Sequence, residues 1–246
     1  MRIMKNQIFE GVYDSYQAAH LDCIEINTKT DYPVEIWKSR QLEYLKNASE
    51  GAPRQESITE VLKSEKINQI VDFGGGSGWL FKHLSKVGHE VQSQIVIETE
   101  DAISWFQEFN QDVVWMKNSS LRDLVVKENN SILYSNSCIQ YLDNSKSDFL
   151  EILSFPWKYI ILEDIPNVTG QDFWTRQRYY NFCIPYHFFN IDSLISDIES
   201  SGPKLQAQLD YNENYPVNWE YRVKSSGNVI TPRTSQTLIF NRHKNY

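Results

Sequence analysis

Val71-Asp72-Phe73-Gly74-Gly75-Gly76-Ser77-Gly78 is the stretch on which the reading of this chain turns. The residues before it, 69–73, are apolar enough for a buried strand, and 80–87 alternate as a helix that Gly88 ends. A glycine-rich turn between a strand and a helix has a physical purpose. Residues without a Cβ reach left-handed backbone angles and let a ligand come close to the main chain. The free N–H groups at the start of the helix then attract polar or anionic ligand groups. The spacing narrows the choice. Dinucleotide sites favour G-x-G-x-x-G, but the sixth position here is Trp79, so Gly74, Gly76 and Gly78 form G-x-G-x-G behind the acidic Asp72.

Working outward, 91–97 reads as a second strand and Glu98 follows it, twenty positions after Gly78. An ionised carboxylate only accepts hydrogen bonds, so an acid at that strand end suits the vicinal hydroxyls of a ribose. Residues 101–109 read as a helix, 112–116 as a third strand, 131–135 as a fourth, 146–153 as a helix and 159–162 as a fifth strand. Residues 192–200 read as a helix before the turn Ser201-Gly202-Pro203. Late strands come from 205–209 or 220–223, and from 237–240. Alternating strands and helices predict an α/β, Rossmann-like, mostly parallel sheet, and the late strands predict an antiparallel C-terminal hairpin. Residues 1–68 read as a helical N-terminal extension, with Ser57 and Glu60 as a capping box. The expected division is 1–68 and a ligand-binding domain 69–246 carrying an insertion at 166–190.

Composition bounds the function. The chain has 246 residues, 41% hydrophobic, with 14 Tyr, 12 Phe and 7 Trp, enough for one α/β domain with a packed core. A net charge of −8 repels phosphate backbones, so no nucleic-acid partner is expected. No stretch reaches the ~18 apolar residues of a membrane span, and residues 1–10 lack a leader pattern. Cys23, Cys138 and Cys183 are odd in number and far apart in sequence, which points away from zinc and disulfides and towards a reducing cytoplasm.

Strand ends on one side of an open α/β sheet face the ligand crevice. Asn136 and Ser137 follow the fourth strand there, and Glu163-Asp164 follow the fifth. Adjacent residues on a strand point to opposite faces, so one of those two acids faces the crevice. The segment 173–189 holds eight aromatic residues, fit either for a lid or for a satellite core. Within it lies His187, whose ordinary titration range suits a general base, and Arg176 and Arg178, which suit an anionic substrate group.

Phe9-Glu10-Gly11-Val12-Tyr13-Asp14-Ser15-Tyr16-Gln17-Ala18-Ala19 resembles the opening of a group of bacterial class I S-adenosylmethionine (SAM) dependent methyltransferases. The glycine motif, Ser137-Cys138-Ile139-Gln140-Tyr141-Leu142 and Pro185-Tyr186-His187-Phe188-Phe189-Asn190 resemble later motifs of that group, in the same order. The resemblance implies a class I methyltransferase sheet and SAM as cofactor. Asp72, Gly74, Gly75, Gly76 and Gly78 would then hold the amino-acid end, Glu98 the ribose and Asn118 and Ser119 the adenine, while Asn136 and Ser137 either meet cofactor or substrate or cap the following helix. His187, Glu163 and Asp164 are the catalytic candidates. The expected activity is O-methylation of a small molecule or a sugar-containing intermediate. Two alternatives are a SAM-binding module without catalysis and a nicotinamide-dependent oxidoreductase; Trp79 speaks against the latter.

Overall fold

The structure is a computed structural model that describes residues 9–27, 33–47, 56–127, 130–142, 151–179, 182–212, 221–222, 229–230 and 232–242. Its centre is β2 (Gln69–Phe73), in which all five residues are buried, the pattern of a strand covered on both faces. β2 pairs in parallel with β3 (Ser93–Glu98) and β5 (Ser131–Asn136). β3 pairs with β4 (Val114–Lys117), and β5 with β6 (Tyr159–Val168), again in parallel.

The expected antiparallel hairpin is present and finely placed. β12 (Pro232–Asn241) runs antiparallel to both β6 and β9 (Lys204–Asn212), so the last strand sits inside the sheet and β9 lies at its edge. Of the two segments weighed for the partner strand, 204–212 is the one used. Tyr221–Arg222 (β10) only makes a short ladder with Val229–Ile230 (β11). The expected helix 146–153 lies largely outside the described residues; 151–153 are helical.

Period-2 alternation divides the core into two layers. On one face Val71, Phe73, Leu133, Leu162 and Phe240 pack with Ile191, Leu194 and Ile198 of α6 (Ile191–Ser200). On the other, Ile70, Val96, Ile132 and Ile161 pack with Ile58 and Val61 of α3 (Glu56–Ser64) and Leu80, Phe81 and Leu84 of α4 (Trp79–Lys86). Between β3 and β4 lies α5 (Glu100–Phe106), whose N-cap Thr99 accepts from the Ala102 N–H. Among the described residues no helix is long and apolar enough to cross a membrane.

The N-terminal segment departs from the helical expectation. α1 (Tyr16–Asn27), α2 (Val34–Lys46) and α3 are helices, but Phe9–Tyr13 is a strand, β1. It pairs antiparallel with β7 (Phe173–Tyr179), a partner so distant in sequence that local pattern cannot reveal it. β7 pairs in turn with β8 (Phe182–Asn190), and β8 joins the C-terminal end of β6 at Asn167 and Val168. The aromatic stretch after the fifth strand is therefore a three-stranded antiparallel annex. Its rings from Phe9, Phe173, Tyr186 and Phe188 form a small core of their own. Ser57 also departs from its expected role. α3 starts at Glu56, so Ser57 lies inside the helix, and its hydroxyl points into the sheet. The cysteines separate in a different way from the sequence. Cys23 of α1 lies near Cys183 of β8; burial first, then that neighbouring thiol, pushes Cys23 up to about 12. All three are free thiols.

Candidate active site

The glycine motif folds as a turn that needs glycine. Gly74, Gly76 and Gly78 have φ of +75°, +57° and +68°, the left-handed region that side chains disfavour. The Gly74 N–H donates to the Ile97 carbonyl at 2.9 Å, and the Gly78 N–H to that of Gly75 at 2.9 Å. The turn is also crowded. A Cβ on Gly74 would collide with the Cys138 side chain, on Gly75 with the Asp72 carboxylate, and on Gly76 with Gln41.

Register places four polar side chains beside this loop. Asp72 lies across from Tyr134, and Asn136 across from Glu163, so all four share the α3 side of the sheet. Asp72 is only 3% exposed, and no described residue donates a hydrogen bond to it. Burial, then Glu98, then Glu163 hold its carboxyl well above the usual carboxylate range. Glu98 is also raised, chiefly by burial, although its Oε1 accepts from the Gly76 N–H at 2.9 Å and its Oε2 from the Thr99 N–H at 3.0 Å.

Glu163 is 2% exposed and fully partnered. Ser57 Oγ donates to its Oε1, while Tyr134 OH and Asn136 Nδ2, the latter at 2.9 Å, donate to its Oε2. Burial outweighs these hydrogen bonds and lifts the Glu163 carboxyl to about 7. Asp72, Glu98 and Glu163 thus bring three carboxyl groups together with no described cation beside them. Among the described residues no group of three His, Cys, Asp or Glu is arranged to hold a metal ion.

The other sequence candidates fall in distinct places. Asp164 and Ser137 both have positive φ, +55° and +51°; Ser137 directly follows β5, but Glu163 and Asp164 lie within β6, which runs on to Val168 rather than ending at 162. That backbone turn carries Asp164 away from Glu163: it accepts from Ser137 Oγ, and its Oδ1 is buried without a partner. Asn118 and Ser119 are exposed, in a 3-10 turn directly after β4. His187 sits in the annex. Its ring stacks on Trp174 at 4.3 Å and tilts against Phe189, and its Nε2 faces Asp172 at 3.2 Å. Arg176 and Arg178 are both engaged by acids of the chain itself. Arg176 lies between Glu10 and Asp22, and Arg178 pairs with Glu10. Sequence reasoning missed Gln41, Ser57 and Tyr134. Tyr134 was within reach, since an inward position two residues before Asn136 must share its face. Gln41 leaves no signal in a polar helix.

No protein-family model and no curated protein matches the sequence. Solved structures do share the fold. One is the 1,6-didemethyltoxoflavin-N1-methyltransferase of Burkholderia thailandensis with 1,6-didemethyltoxoflavin and S-adenosylhomocysteine, at TM-score 0.50 and 12% identity over 87% of this chain and 92% of that one. Another is a LepI variant in complex with S-adenosylhomocysteine and a substrate analogue, at TM-score 0.52 and 14% identity over 93% of this chain and 64% of that one. A third is a SAM-dependent methyltransferase from Mesorhizobium loti, at TM-score 0.50 and 11% identity over 78% of this chain and 99% of that one. The chain has the Rossmann-like class I methyltransferase fold.

Proposed function

We propose that this chain is a SAM-dependent methyltransferase acting on a hydroxyl group of a small molecule in the cytoplasm. The observation that carries the reading is Asp72, a buried acid beneath a glycine turn with no partner of its own. Burying carboxylates together without a counter-charge is costly, and such sites persist where a ligand supplies the missing charge. An amino-acid ammonium group would supply the charge that Asp72 lacks. When bound, SAM supplies an electrophilic methyl group on a sulfonium.

The chain's own residues then divide the work. Asp72 faces the ammonium group. Each Glu98 oxygen has a second lone pair beyond its backbone hydrogen bond, which leaves capacity for the two ribose hydroxyls. Asn118 and Ser119 meet the adenine edge, and Asn136 and Ser137 form the wall beside it. Glu163 is the preferred base. Its raised range, near neutral pH, suits removal of a proton from an acceptor hydroxyl. Ser57, Tyr134 and Asn136 fix its orientation. Asp164, with one oxygen unpaired, is placed to orient the acceptor. His187 ranks behind Glu163 because its contacts are with annex side chains.

Calorimetric titration tests the cofactor reading. SAM and S-adenosylhomocysteine are expected to bind and NAD is not. Binding of NAD alone would favour the oxidoreductase alternative. Tight binding of SAM with no methyl transfer across a broad panel of hydroxyl compounds would favour a module without catalysis.

A further inference from the structure

The sequence keeps the three cysteines far apart, but the fold brings two of them together. Cys23 lies on α1 and Cys183 near the start of β8, 1% and 3% exposed. The third, Cys138, sits apart from them, against Gly74 in the crevice.

Asn27 fixes the relation of the pair. It stands one turn after Cys23, so the two side chains share a face of α1. Its amide makes two hydrogen bonds to the Cys183 main chain. Nδ2 donates to the Cys183 carbonyl at 2.8 Å, and Oδ1 accepts from the Cys183 N–H at 2.9 Å. A disulfide asks for Cα atoms within about 7 Å. One turn of helix spans only about 6 Å, and its far end is already bound to the Cys183 backbone. Further contacts hold α1 in place. Asp22 accepts from Tyr13 and Arg176, and the Tyr16 ring meets Trp174 edge-on at 5.1 Å.

The two sulfurs differ in character. Burial lifts Cys23 to about 12, and the neighbouring Cys183 adds to the rise. Burial raises Cys183 too, but Arg176 and Arg178 both oppose it there. Thiolates are the attacking species, so Cys183 is the better placed to react first.

We propose that Cys23 and Cys183 are a redox pair, a site at which a peroxide closes a reversible disulfide that staples α1 to the annex. The proposal is independent of the SAM reading. Cys183 Sγ attacks one oxygen of hydrogen peroxide, the O–O bond breaks, and the departing oxygen leaves as water with the thiol proton. Cys23 Sγ then attacks the sulfenic sulfur. The S–S bond forms, the S–O bond breaks, and the hydroxyl leaves as a second water with the Cys23 proton. Together the sulfurs lose two electrons and the peroxide gains them. A thiol reductant reverses the bond. Because both sulfurs are buried, local opening of α1 sets the rate.

The test treats the full folded chain with hydrogen peroxide, alkylates the remaining thiols with N-ethylmaleimide under denaturing conditions, and maps the digest by mass spectrometry. The expected product is one intrachain link, Cys23 to Cys183, with Cys138 alkylated and the link lost in dithiothreitol. The oxidised protein should melt about 5 °C higher or more, because the link closes a long loop of the unfolded chain. Cys23→Ala and Cys183→Ala should each abolish that rise, and dimedone should trap a sulfenic acid at Cys183 in Cys23→Ala. Recovery of both thiols alkylated after peroxide, a link that runs to Cys138 or joins two chains instead, or a melting rise that persists in both variants overturns the proposal. None of these results touches the SAM reading.

Discussion

The crevice at the ends of the parallel strands and the antiparallel annex beside it both hold titratable groups, and they treat them in opposite ways. In the annex, charges meet partners. Arg176 lies between Glu10 and Asp22, Arg178 reaches Glu10, and His187 faces Asp172. In the crevice, Glu98 and Glu163 add to the cost of ionising the buried Asp72, and no described cation relieves it. Matched charge ties β1 and α1 to the hairpin and explains itself as structure. Unmatched buried charge weakens the fold, so its presence calls for a ligand. Side-chain type alone would rank His187 above Glu163; the proposed base reverses that order on its surroundings.

The largest effect that could break this comparison is at the turn. Gly76→Val puts a branched side chain at φ +57°, against Gln41. Calorimetry should find SAM binding abolished while circular dichroism stays near native. Retained binding would mean the turn is only a connection.

Next comes the base. Glu163→Gln keeps the shape and the acceptor for Ser57 but cannot take a proton. Single-turnover methyl transfer should slow by about 10²–10⁴-fold with S-adenosylhomocysteine affinity retained. In the native protein the rate should climb as pH rises through about 7, where Glu163 ionises, and that step should vanish in the variant. A near-native rate in Glu163→Gln would return suspicion to His187.

The smallest effect sharpens the annex side of the comparison. His187→Asn removes a ring stacked on Trp174. It should lower stability by about 1 kcal/mol, seen as a drop in melting temperature, and change the transfer rate by less than about threefold. A rate loss as deep as that of Glu163→Gln, with a normal melting temperature, would move the chemistry into the annex.

The parallel half of the fold was legible because its signals are local. Buried apolar runs, a glycine turn and capped helices occupy consecutive residues, and the turn with Asp72 and Glu98 lies within one strand–helix–strand unit. The annex was not legible, because β1 falls in a segment that reads as helical until β7 is known to lie beside it. The same limit applied to the site. Glu163 was a candidate by position, but its preference over Asp164 depends on the left-handed backbone at Asp164 and on Ser57 arriving from α3. Neither follows from spacing along a strand.

Asp72 gives the most direct test of the whole account. Its carboxyl lies well above the ordinary range, so the stability tied to it is full below that range and is lost as pH rises and the buried group is forced to ionise. Asp72→Asn removes that cost. The measurement is a calorimetric titration with SAM at pH 8, native protein beside Asp72→Asn, with the melting temperature of each recorded. The account predicts a variant that melts higher than the native protein and binds SAM at least about 10-fold more weakly, the loss of one charged hydrogen bond. Equal SAM affinity in the two proteins, or a variant that melts lower, would contradict it.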